Sequence, residues 1–153
     1  MRRAWITCMG WMCAAFLATD AAAQTPLTWA DVRARFEANN PTLRAGQVSS
    51  TLSISFLNTG SQTWTKGLLG QEARLGVNRD NETWAGLGVG WPSANRVAFQ
   101  NEGSVPPGAV GTFYFQVRAP TAPGTYAINL RPVIDAVTWM EDEGVFLYVT
   151  VVP

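Results

Sequence analysis

The sequence predicts an all-β domain, an antiparallel sandwich of about seven short strands. Three observations predict it. Apolar and polar residues alternate with a period of two at Leu52, Ile54 and Phe56, at Phe113, Phe115 and Val117, and at Tyr126, Ile128 and Leu130. Clusters of Asn, Gly and Pro punctuate these runs at 58–60, 106–108 and 119–124. The last run, 145–152, is rich in β-branched and aromatic residues. Period-two runs divided by such turns are the pattern of a sandwich with one wet and one buried face per sheet.

In chain order, the first 23 residues read as a secretory signal. Arg2 and Arg3 form a basic start, residues 4–17 are largely apolar, and Ala21-Ala22-Ala23 supplies small residues for cleavage. The apolar run is too short for a membrane span, so Gln24 is the expected mature N-terminus. Residues 24–46 then form a helical leader. Thr28 can cap it, Leu27 can staple onto Val32, and Trp29, Val32 and Phe36 fall at helical spacing. Asn39, Asn40 and Pro41 end that helix, because a residue before proline avoids the α region. Residues 47–153 are the β domain, where weaker strands are expected over 74–77, 88–91 and 96–99 besides the strong runs.

Composition narrows the chemistry. There is no histidine, and both cysteines, Cys8 and Cys13, lie in the presumed signal. The mature chain therefore has no disulfide, no Ser–His or Cys–His dyad and no zinc site of nitrogen and sulfur ligands. Removing Arg2, Arg3 and Asp20 from eleven charges of each sign leaves nine basic and ten acidic residues. The basic ones are scattered, which argues against a nucleic-acid footprint. No cofactor motif is present.

From Pro41 onward the motifs resemble the four-tryptophan domain, the immunoglobulin-like central module of an autophagy cargo receptor that also occurs in bacterial secreted proteins. Leu43-Arg44-Ala45-Gly46-Gln47 resembles its L-x-P-G-Q lead-in, with Ala45 in place of proline. Asn58-Thr59-Gly60-Ser61-Gln62-Thr63-Trp64 matches N-T-G-x-x-T-W, followed by Arg74-Leu75-Gly76 and by Trp91 with Asn95-Arg96-Val97. Pro107-Gly108, Phe113-Tyr114-Phe115, Ala119-Pro120 and Pro123-Gly124-Thr125-Tyr126 match the next hairpin. Asp135, Trp139 and Glu143-Gly144 match the closing element, with Ala136 replacing a glycine. The resemblance implies structural roles for Asn58, Gly60, Trp64, Trp91, Arg96, Pro120, Gly124, Tyr126 and Trp139. Trp64, Trp91 and Trp139 are expected as large buried rings. Asn58 and Gly60 are expected to turn the chain by accepting φ > 0, and Tyr126 to hydrogen-bond back to its loop. The leader is similar to the opening of outer-membrane efflux channel proteins, L-T-x-x-x-A followed by N-N-P-x-L. The long helical heptads of a channel are missing from the rest.

Few residues suggest a site. Trp84 stands among Gly86, Gly88 and Gly90. It reads either as a ring for a sugar or partner, or as a loop tryptophan folded over the core. Glu141-Asp142-Glu143 reads as a solvated loop, with half a calcium site or a carboxylate pair as the alternative. Asn78, Asp80 and Glu82 lack the spacing of a calcium loop. Asn81-Glu82-Thr83 is a glycosylation acceptor that is idle in most bacterial chains. The expected function is a non-catalytic, exported binding or adhesion module for a protein or cell-envelope glycan. An accessory part in an efflux or envelope system is the alternative.

Overall fold

The computed structural model describes residues 40–153. The expected signal, cleavage site, both cysteines and the leader helix lie outside them. Eleven strands follow in order: β1 Thr42–Arg44, β2 Leu52–Leu57, β3 Trp64–Thr65, β4 Ala73–Val77, β5 Gly88–Val89, β6 Arg96–Phe99, β7 Ser104–Val105, β8 Val110–Val117, β9 Gly124–Ile134, β10 Thr138–Trp139 and β11 Val145–Val152. Two 3₁₀ turns, Asn78–Asp80 and Ala85–Leu87, are the helical structure among the described residues. The domain is all-β.

The large sheet has the order β1-β11-β9-β4-β6, with β10 folded back on β9. It is mixed, since β1 runs parallel to β11 while the remaining pairs are antiparallel. A second sheet has the order β2-β8-β5, and β3 pairs β7 in a two-stranded ladder. The expected seven strands are exceeded by ladders of two or three residues, too short to show a period. Thr42–Arg44, assigned above to the leader, belongs to the large sheet: Leu43 is buried opposite Val151.

Alternation decides which side chains enter the core. Leu52, Ile54 and Phe56 of β2 and Phe113, Phe115 and Val117 of β8 are buried, with Phe56 and Phe113 edge to face at 5.9 Å. From the large sheet come Leu75, Val77, Ile128, Leu130, Leu147 and Val149. Pro132 sits inside β9 opposite Leu75. Pairing with β11 ends at Leu130, and the Pro132 carbonyl accepts from Met140 N–H. Pro132 thus sits at the break between the β11 ladder, which ends at Leu130, and the β10 ladder, which begins at Val133.

The two sheets share this core and are hydrogen-bonded to each other at a seam beyond the end of β6. Beyond β6, Gln100 bridges to Phe113 of β8, and Asn101 N–H donates to the Thr112 carbonyl at 2.8 Å. At the other end of β8, β5 pairs at Val117 and Gln116 instead. Between these two points β6 and β8 run side by side without a continuous ladder.

Candidate binding groove

The residues singled out from the sequence fall into three places. The first is the end of the molecule where Asn58 and Trp64 meet. Asn58 is buried, and its amide donates to the Gln62 and Val105 carbonyls, each at 2.8 Å. Its Oδ1 accepts from Gly60 N–H at 2.9 Å. Neither Asn58 nor Gly60 is among the positive-φ residues, which corrects the expected mechanism: the turn is pinned by the asparagine side chain rather than by left-handed backbone. Trp64 is 4% exposed and lies flat on Gly111, where an added Cβ would stand 2.9 Å from its ring.

The second place is the outer face of the large sheet. Trp139 lies there, half-buried across Gly76, and a Cβ at Gly76 would meet its ring at 2.8 Å. The Arg96 and Arg131 guanidinium groups lie 5.1 and 5.7 Å from its centroid. Arg96 holds Asp80 at 2.6 Å and Asp135 at 2.9 Å, and Asp135 also takes Arg74 at 2.8 Å. Burial alone would lower the Arg96 pKa, but hydrogen bonds and charge from Asp135 and Asp80 raise it above its ordinary value. Asp80 is thereby occupied, and Asp142 accepts from Asn78 at 2.7 Å and from Gly144 N–H at 3.0 Å. Among the described residues no group of three acidic side chains is gathered closely enough to hold a metal ion.

The third place is the 120–126 corner. Tyr126 Oη donates to the Ala122 carbonyl at 2.8 Å, the bond expected from the sequence. Gly124 follows Pro120 and Pro123 with φ +151°, a conformation that favours glycine. Trp84 meets Tyr126 edge to face at 6.0 Å and is half-buried against the core. Trp91 is also half-buried, not sealed between the sheets. Its ring covers Gly88 and its indole donates to the Gln116 carbonyl at 3.0 Å. Of the three tryptophans expected in the interior, only Trp64 is there. Trp91 and Trp139 both cover glycine positions, where the missing Cβ leaves room for an indole: Trp91 half-buried against the core at Gly88, Trp139 on the outer face at Gly76.

A groove of about 420 Å³ opens where the seam is unladdered. That volume lies within the range of small-ligand sites, about 300–1,000 Å³. Val97 and Ala98 of β6 and Phe115 of β8 form an apolar floor. Phe99 and Tyr114 also line it, 41% and 52% exposed. The Arg74 guanidinium lies 4.8 Å from the Phe99 centroid. Thr51, Asn101 and Gln116 add polar groups, and Lys66 is the one charged side chain that lines it. Gln116 is held by Ser49, whose carbonyl takes its Nε2 at 2.9 Å.

None of the residues proposed from the sequence for binding lines this groove: Trp84 does not. The groove residues were missed because each is ordinary alone. One signal was present. The period of two that buries Phe113 and Phe115 puts Tyr114 between them on the wet face, a large aromatic where a polar residue is usual. In comparison with known proteins, no family model matches the chain and no curated protein matches it significantly. Among the described residues, no helix is long and apolar enough to cross a membrane.

Proposed function

We propose that the chain is an exported, non-catalytic binding module whose ligand, a protein or a cell-envelope glycan, occupies the groove between β6 and β8. The observation that carries this reading is the pair of exposed rings, Phe99 and Tyr114, that line one groove together with Val97, Ala98 and Phe115. Exposed aromatics at a concave, partly polar site are the typical contact groups of recognition surfaces. Absence of catalysis is supported by the lack of histidine, by cysteines confined to the first 13 residues, and by a groove lining without a carboxylate. The finer architecture is proposed as an immunoglobulin-like sandwich of the four-tryptophan type. The tyrosine corner and the two-sheet core support it.

Pull-down from glycan and peptidoglycan preparations and from envelope proteins tests the reading. The parent protein should retain a ligand that Tyr114→Ala releases. Retention that is indifferent to both Tyr114→Ala and Phe99→Ala removes the groove from the proposal. Export is tested by mass spectrometry of the secreted protein, which should begin at Gln24. Trp84 is read as a ring that closes the core over Tyr126. Trp84→Ala should lose about 1 kcal/mol of stability, in line with an aromatic pair and partial burial, and leave the groove's binding intact.

A further inference from the structure

Resting on that binding-module reading, we infer that the β6–β8 groove takes a saccharide, and specifically a chain bearing carboxylate groups. A sugar and a peptide would use this groove differently. A peptide bound along a seam commonly adds a strand, which needs a run of free backbone groups on one edge. The groove-side edge of β8 is already used at both ends. Asn101 N–H donates to the Thr112 carbonyl, the Trp91 indole N–H donates to the Gln116 carbonyl, and Arg118 N–H donates to the Leu87 carbonyl. That leaves Tyr114 alone between them, too little for a ladder.

The side chains suit a pyranose instead. A sugar ring presents C–H faces, which pack on aromatic rings and apolar floors, and a rim of hydroxyls, each both donor and acceptor. Phe99 and Tyr114 supply the first kind of surface. The Asn101 amide, the Tyr114 hydroxyl and the Thr51 hydroxyl supply the second, since none of them makes a hydrogen bond within the described residues. An amide and a hydroxyl can each donate and accept, as a hydroxyl rim requires.

Charge then selects within saccharides. Lys66 is the groove's one charged lining residue, held by a 3.3 Å bond to the Asn101 carbonyl. Arg74, stacked on Phe99, is spent on Glu72 at 3.2 Å and Asp135 at 2.8 Å, so the free charge is that of Lys66. The nearest acidic neighbour in sequence, Glu102, is turned onto Thr112 N–H at 2.8 Å. A carboxylate on the sugar would meet the Lys66 ammonium and no lining anion.

The test is calorimetric titration of the exported protein with oligouronates and with neutral glucan oligomers of equal length. Oligouronates should bind about tenfold more tightly at low salt, and the preference should vanish near about 1 M salt, where the Debye length is about 3 Å. Lys66→Gln should erase the preference for oligouronates over neutral oligomers. Tyr114→Ala should weaken both by about tenfold, as loss of one ring contact does. Equal affinity for the two sugars overturns the charge assignment. No saccharide binding, together with a protein ligand that Tyr114→Ala releases, overturns the sugar but leaves the module reading standing. Oligouronate binding unchanged by Tyr114→Ala and by Phe99→Ala overturns the groove itself.

Discussion

The Asn58–Trp64 end and the β6–β8 seam are built from the same kinds of residue and are put to opposite uses. At the first, an aromatic ring is sealed on Gly111 and the Asn58 amide has all of its bonds made inside the protein. Thr59 Oγ1 is the buried exception. At the second, two rings are open to solvent and the Asn101 amide is unspent. An amide whose bonds are satisfied internally holds the fold, whereas one left facing a groove is free to read a ligand. The same lesson separates Trp64 from Tyr114.

The largest expected effect breaks the sealed end. Trp64→Ala removes a buried ring and leaves a cavity over Gly111, which costs about 3–5 kcal/mol. Against a total of about 5–15 kcal/mol for a domain, thermal or urea melts should show a sharply destabilised protein. A melt like the parent's would mean that the sealed end contributes little.

Asn58→Ala should come next, at about 2–3 kcal/mol, because it strands the Gln62 and Val105 carbonyls and the Gly60 N–H. Asn58→Asp keeps the acceptor for Gly60 but sets a buried carboxylate oxygen against the Gln62 and Val105 carbonyls, so it should destabilise at least as much as alanine at neutral pH.

The smallest effect is electrostatic and lies away from both regions. Burial first, and then the charges of Glu141 and Asp142, raise the Glu143 pKa above its ordinary value. A carboxyl group whose folded pKa is raised binds more protons folded than unfolded. Stability therefore falls as pH rises from the ordinary carboxylate value through the raised one. Glu143→Gln should raise the melting point slightly at neutral pH and flatten its slope across that window. The slope should stay unchanged if the loop is fully solvated.

Much of this was legible in the sequence. The runs at 52–56, 74–77, 96–99, 113–117 and 145–152 became β2, β4, β6, β8 and β11, because period two and β-branched residues report a half-buried strand directly. The ladders of β3, β7 and β10 span two residues each and cannot show a period. Trp91 and Trp139 were misplaced because a tryptophan's size says that it needs a surface to cover, not which side of the sheet supplies it. Gly88 and Gly76 were that surface. The groove was hidden for a different reason: Phe99 and Tyr114 lie 15 positions apart, on different sheets, and only the seam at Gln100–Phe113 brings their strands together.

The most direct measurement pairs a thermal melt with ligand retention for Phe99→Ala/Tyr114→Ala. Both rings stand outside the sealed core, so the melting point should stay within a degree or two of the parent's, as expected for surface changes of about 0.5 kcal/mol, while retention of the ligand is lost. A protein that melts far below the parent would make the two rings part of the fold. One that keeps both its melting point and its ligand would contradict the assignment of the seam as the binding site.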